Sequence, residues 1–375
     1  MQAAAPPADR VRNILVYRIG SLGDTLMILP ALWTLKAAHP GARFVLLSNR
    51  PAGKSAVQAK ALFDGSRLFD DYISYPVGRD WRSRLSEPLR FLGLWRRLRA
   101  RRFDAVAYFA PSERRPGQVR RDRVFFALAG IGRFWAGSGF LPRAVRPSSG
   151  PMPRRVHEAD QILGRLANDG FEVPPPAQRS FDLRTGETEA AKLRAWLAGL
   201  ERDGGRRWIG VGPGSLQPAK VWPEDRFLRV VSAAIRDWDL WPVVFGGRDE
   251  QALGERLVGA WGRGYNACGA LGVREASEAL SRCVAFLGND TGTLHLAAAR
   301  RVPCLGVYSA HAAPGQWEPW GSGHRVLRRA IDCEGCGLKV CVERRMECML
   351  TIRETEVADA LGTLLSGIGL APCPA

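Results

Sequence analysis

"NILVYRIGSLGDTLMILPAL", Asn13–Leu32, reads as an apolar strand, a turn with two glycines and the start of a helical pattern running from Asp24 to Ala38. A strand that feeds a helix through a glycine turn opens many doubly wound α/β domains, in which ligands bind beyond the carboxyl ends of parallel strands. The spacing, however, is G-x-x-G-D and not the G-x-G-x-x-G of a dinucleotide loop. No acidic residue closes the next strand, "ARFVLLSNR", where a ribose would need one. The turn therefore reads as a device that presents Asp24 from a loop of Gly20, Ser21 and Gly23, with the two glycines leaving room for a ligand and the helix's positive end favouring a negative charge. An aspartate that only caps the helix is the alternative.

The same alternation continues outward. "ARFVLLSN", "YISYP" and "FDAVAYFA" are strand-like, and helical patterns lie near Ser55–Phe63, Leu85–Arg101 and Gln118–Ala129. "VPPPAQ", Val173–Gln178, is stiff and extended and reads as an interdomain linker. A helix near Glu187–Leu200 precedes a second alternating run with strands "RWIGVG", "WPVVFGG", "YNACGA", "VAFLGND" and "VPCLGVYS". Short apolar strands joined by helical crossovers imply parallel sheets covered on both faces. The expected organisation is α/β with two Rossmann-like domains, residues 1–178 and 179–350, and a final helical segment, 351–375, returning to the first.

The chain has 375 residues and a formal net charge of +17. Such a field favours anionic partners, although an arginine-biased genome produces the same excess. No apolar run approaches the roughly 20 residues needed to span a bilayer, and "MQAAAPPADR" lacks the pattern of a secretory signal, so a cytoplasmic location is expected. Arginines are dense at Arg96, Arg97, Arg99, Arg101 and Arg102, and again in "SERRPGQVRRDR". No nucleic-acid module appears, and the basic residues do not alternate with aromatics for base stacking.

Four loops can carry chemistry. "GVGPGSLQPAKVWPEDRF" offers Ser215 and the mobile charge of Lys220, suited to phosphate. "FGGRDE" places Glu250 where it can accept from ribose hydroxyls or merely suit a helix dipole. "FLGNDTGTLHLAAA" ends a strand at Asp290 and opens a helix at Thr291, Gly292 and Thr293, a ready anion site, with His295 in the first turn. "RDWDLW" holds Asp237 and Asp239 at the amino edge of a strand, the wrong edge for a metal-bound ligand, and reads as a solvated turn. "CEGCGLKVCVERRMEC" sets Cys333, Cys336, Cys341 and Cys348 in a C-x2-C-x4-C-x6-C array, either a structural zinc or iron–sulfur knuckle or unligated thiols.

Taken together and in order, "ILVYRIGSLGDTLMILPAL", "PGSLQPAKVWPEDRF", "FGGRDE" and "FLGNDTGTLHLAAARRVPCLGVY" resemble glycosyltransferase family 9, the ADP-heptose:lipopolysaccharide heptosyltransferases. The resemblance runs from about residue 12 to 350, the Cys array included. The stretch from Phe63 to Ser180, where an acceptor should bind, matches no motif closely. The resemblance implies a GT-B architecture with domains facing a cleft, the acceptor held by the first and the nucleotide-sugar by the second. It implies inverting, metal-independent transfer with Asp24 as base. Lys220, Thr291, Gly292, Thr293 and His295 would surround the donor diphosphate, Glu250 the ribose, and Asp290 the donor sugar or its loop. No cofactor would be needed for catalysis. The implied partners are ADP-heptose or another nucleotide-sugar, a lipid-linked saccharide and the anionic inner face of a membrane; nucleic acid is not among them. A nicotinamide-dependent oxidoreductase is the rival of another class.

Overall fold

The computed structural model describes residues 11–50, 57–76, 81–200 and 205–373, without side chains for Pro76 and residues 81–90. The expectations for the first ten residues, for Ser55 and for side chains before Phe91 in the basic stretch lie outside the described residues. The chain divides into two compact units: residues 1–143 with 158–184, and residues 144–157 with 185–375.

In the first unit β1 (Asn13–Arg18), β2 (Arg43–Arg50), β3 (Asp71–Pro76), β4 (Ala105–Tyr108) and β5 (Arg133–Trp135) form a parallel sheet ordered β3-β2-β1-β4-β5. Central β1 is buried along almost its whole length, as a strand covered by helices on both faces must be. Leu15, Val45 and Val106 pack with Leu94 and Leu98 of the helix Trp81–Ala100 and with Val119 and Phe126 of the helix Pro116–Leu128. The single helix expected over Asp24–Ala38 is two, Leu22–Leu26 and Leu29–Ala38. Pro30 stands near the start of the second, where its missing N–H is harmless.

The second unit holds β6 (Arg207–Gly212), β7 (Leu240–Val244), β8 (Tyr265–Asn266), β9 (Cys283–Asn289), β10 (Cys304–Tyr308) and β11 (Arg325–Arg328), parallel and ordered β11-β10-β9-β6-β7-β8. Both sheets are therefore doubly wound, as the alternation required. Among the described residues no helix is long and apolar enough to cross a membrane.

Two boundaries differ from expectation. The last helix, Glu354–Gly367, does not join the first unit's core. Val357, Leu361, Leu364 and Leu365 make an apolar stripe that packs with Phe227, Val230 and Val231 of the helix Glu224–Trp238 in the second unit. Ion pairs Arg229–Glu354 and Arg329–Glu356 fix its amino end there. The proline-rich linker expected at Val173–Gln178 is instead part of the first unit. Pro176–Gln178 form a 3-10 turn, and Arg179 just beyond donates to Pro174 O and pairs with Asp160. The unit ends at Arg184, and residues 144–157 belong to the second.

Candidate functional site

Arg18 ends β1, and its guanidinium is fully buried. One terminal nitrogen donates to Phe109 O at 2.7 Å and lies 3.7 Å from Glu158; the other donates to Asp24 Oδ1 at 3.2 Å. Glu158 starts the helix Glu158–Ala167, is itself fully buried, and accepts from Ser112 N at 3.0 Å. Two turns on, Arg165 donates to Ala110 O and Ser112 Oγ. Burial pushes the Glu158 carboxyl up, against the pull of Arg18 and Arg165, while burial brings the Arg165 guanidinium down to about 10. The four charges alternate, Arg165, Glu158, Arg18, Asp24, and only the last reaches solvent.

Asp24 is the third residue of the helix Leu22–Leu26. Its Oδ2 accepts from Ser21 N and Ser21 Oγ, both at 2.7 Å, so Asp24 does cap the helix. Oδ1 has one bond, to Arg18, and keeps acceptor capacity toward solvent. The cap and the Arg18 bond thus use different oxygens. At Gly20, φ +133°, a Cβ would lie 2.5 Å from the Asp24 side chain. The glycine makes room for Asp24 itself. Gly23 is buried within the helix, whereas Ser21 is exposed.

In the second unit the expected loops gather beyond the carboxyl ends of β6, β7 and β9. Buried Asn289 ties two of them, donating to Pro213 O at 2.6 Å and accepting from Trp222 N at 3.1 Å. Lys220 Nζ lies 2.6 Å from Asp290 Oδ2, with both side chains largely buried. Burial alone would raise the Asp290 carboxyl, but Lys220 and His295 beside it hold it far below the usual carboxylate range. His295, expected as a donor at the helix mouth, is buried with Nε2 3.7 Å from Asp290 Oδ1. It serves that carboxylate rather than the solvent-facing turn.

Thr291, the N-cap of the helix Gly292–Ala299, makes no side-chain cap; its hydroxyl meets that of Thr293 at 2.9 Å. The first-turn N–H groups lack partners within the helix, an arrangement suited to an anion, and the Thr293 hydroxyl lies over Gly212 at the end of β6. Glu250 lies across Gly214 and Gly246: a Cβ on Gly214 would fall 1.6 Å from its Oε1. Its Oε2 accepts from Gly247 N, and burial raises its carboxyl. Ser215 accepts from Gln217 N and shapes its own turn.

The other candidates separate from these sites. Asp237 pairs with Arg236, and Asp239 with Arg263, as a solvated turn should. Cys333, Cys336, Cys341 and Cys348 come near enough for burial and mutual repulsion to raise the Cys333 and Cys348 thiols. Cys348 is buried in the second unit's core, and the Cys341 sulfur accepts from Met346 N. Among the described residues no group of three or more His, Cys, Asp or Glu is disposed to hold a metal. Sequence reasoning missed Glu158 and Arg165. Their seven-residue spacing in "EADQILGRLA" was the available signal, since it puts both on one helix face.

Residues 152–347, just over half of the chain, match the family described as glycosyltransferase family 9 (heptosyltransferase). Lipooligosaccharide heptosyltransferase 2 of Campylobacter jejuni is 24% identical over 168 residues, 43% of this chain and 52% of its own, so this chain spans about half the length of that relative. Lipopolysaccharide heptosyltransferase 2 of Salmonella typhimurium is 25% identical over 96% of this chain and 100% of its own. The solved structure of Escherichia coli ADP-heptose lipopolysaccharide heptosyltransferase II superimposes with a TM-score of 0.64 at 20% identity, covering 95% of this chain and 99% of that one. The likeness spans both units, in keeping with the GT-B class expected from the sequence. With the matched segment enclosing Lys220, Glu250 and the Asp290–His295 loop, the chain belongs to glycosyltransferase family 9.

Proposed function

We propose that the protein transfers a heptose from ADP-heptose to a lipopolysaccharide-core-type saccharide, with inversion and without a catalytic metal. The observation that carries this reading is the second unit's open helix mouth beside Lys220. There a diphosphate finds N–H donors, hydroxyls and a cation together. The names of the family relatives, heptosyltransferases among them, support the sugar and the acceptor class.

In this reading the acceptor oxygen attacks the anomeric carbon as the bond to the diphosphate oxygen breaks, and ADP leaves with the electron pair. The acceptor's proton passes to Asp24 Oδ1, the oxygen with capacity to spare. Negative charge grows on the diphosphate and is met by Lys220 and the first-turn N–H groups of Gly292–Ala299. Glu250, held over Gly214, would receive ribose hydroxyls, and Asp290 with His295 would hold Lys220 in place.

Thermal unfolding with a panel of nucleotide-sugars tests the donor, and mass spectrometry of products with a heptose-free core acceptor tests the transfer. ADP-heptose should raise Tm and be consumed with release of ADP. Stabilisation by another nucleotide-sugar and none by ADP-heptose would overturn the donor.

A further inference from the structure

Arg18 stands between two carboxylates and is shut off from solvent. Its Nη2 donates to Asp24 Oδ1 at 3.2 Å, and its Nη1 lies 3.7 Å from Glu158 Oε1. The Arg18 and Glu158 side chains are fully buried, whereas that of Asp24 is partly exposed. Charges that water does not screen act on one another strongly, so the pull of Arg18 on Asp24 depends on what else faces the guanidinium. Few other charges do. Arg165 attracts Glu158 from two turns along its own helix, and Asp24 repels it. The loop Phe109–Ser112, bonded by both arginines, is uncharged. The helix Leu29–Ala38, packed on Glu158–Ala167, carries only Lys36, set beside Asp70 and Arg184. The helix Ala59–Phe63, packed on Leu22–Leu26, carries only Lys60, which is exposed and lies over the Tyr72 ring. Arg50 is exposed at the end of β2.

The arrangement is not that of a plain structural ion pair, in which buried polar atoms find partners. Glu158 Oε1 accepts from Ser112 N, but among the described residues Glu158 Oε2 and Arg18 Nε have no hydrogen-bond partner. We propose that Glu158 is a positioning residue for Asp24: from behind Arg18 it offsets part of the cation's pull, so the guanidinium holds Asp24 in place without silencing it as a base. With Glu158 uncharged, the whole field of Arg18 would fall on Asp24. The carboxylate would be stabilised and would take a proton less readily. The inference deepens the reaction proposed above and rests on Asp24 as its base.

The test is titration of the Asp24 carboxyl by carbon-13 NMR in the ligand-free protein, alongside the pH profile of kcat. The Asp24 signal is identified by its loss in Asp24→Asn. In Glu158→Gln the Asp24 midpoint should fall by about one pH unit, and the acid limb of kcat should move down with it. The plateau of kcat should drop while the donor KM is held. This variant also strands Arg165, so its Tm should fall. Glu158→Gln with Arg165→Met removes one buried charge of each sign. It should recover Tm yet keep both shifts, because Arg18 then still faces Asp24 alone. An Asp24 midpoint unmoved in the double variant, or one that returns to the parent's value together with Tm, would overturn the proposal and leave Glu158 a packing residue. A midpoint that falls while kcat ignores it would overturn the proposal by a different route, through Asp24 as base rather than through Glu158.

Discussion

Asp24 and Asp290 are built alike and used differently. Each follows the end of a parallel strand, stands at the start of a helix and bonds a basic side chain, Arg18 or Lys220. In the first pair the cation is immobile: Arg18 is fully buried and clamped by Phe109 O and Glu158, while the Asp24 side chain is 22% exposed. In the second the carboxylate is the anchored partner: Asp290 is 7% exposed with His295 behind it, and Lys220 brings its charge up on a flexible stem. The same ion pair thus leaves the carboxylate as the more exposed partner in one unit and the cation in the other.

The comparison breaks if the exposed partner is not the working one. Asp24→Asn keeps an acceptor for the Ser21 cap but removes the base, so kcat should fall by about 10²–10⁴-fold while ADP binding by calorimetry is nearly unchanged. A fully active Asn variant would sink the assignment of the base. Lys220→Met strands Asp290 as a buried charge; the loss of stability should be about 3–5 kcal/mol by denaturant unfolding, with weakened ADP binding. Adding Asp290→Asn should restore most of the stability but none of the ADP affinity. Recovery of both would make the pair purely structural.

Smaller effects sharpen the contrast. Glu158→Gln leaves Arg18 without its buried counter-charge, and kcat should drop about tenfold, the equivalent of about 1.4 kcal/mol in the barrier, with KM for the donor held. A fall in Tm with kcat intact would leave Glu158 a packing residue. Glu250 gives a pH test. Its carboxyl is raised by burial, so its contribution to stability is present below the ordinary glutamate value of about 4.3 and is lost as pH rises through the higher folded value. Glu250→Gln should flatten that part of the Tm–pH curve. If the wild-type curve shows no such limb, the carboxyl is not desolvated in solution. The smallest effect expected is none: EDTA should leave the rate unchanged, and loss of activity restored by a divalent ion would end the metal-independent reading.

The sheets were readable because parallel strands buried on both faces are continuous apolar runs; "NILVY" and "VAFLG" admit little else. β5 and β11 escaped notice. Each is a short edge strand, "RFW" and "RVLR", and β11 is only partly buried and carries arginine at both ends. The Asp290 loop was legible because backbone geometry there follows from a strand ending and a helix starting in one hexapeptide. What holds Arg18 behind Asp24 is harder to read: Glu158 and Phe109 are distant in sequence, and only the spacing of Glu158 and Arg165 on one helix face hints at a buried charge cluster. Gly20 accommodates a side chain only four residues away, a contact the turn's spacing does not announce. The last helix showed its apolar stripe but not its partner, which is a property of the matching stripe on Glu224–Trp238.

Residues 144–157 join the second unit through Arg155 N to Pro314 O at 2.8 Å, Met152 N to Glu334 at 3.1 Å and the ion pair Arg154–Glu318. A Cβ at Gly315, φ +88°, would lie 2.2 Å from Arg155 O, so this seam closes only on glycine. Arg154 and Glu318 are separated by 164 positions. At synthesis rates of about 5–20 residues per second, the segment leaves the ribosome on the order of 10 s before its partners exist. The first unit, which takes Glu158–Arg184, can meanwhile complete its sheet. The order of synthesis therefore makes the Asp24 half the first to finish. The Lys220 half must wait, holding an early strip of chain in reserve.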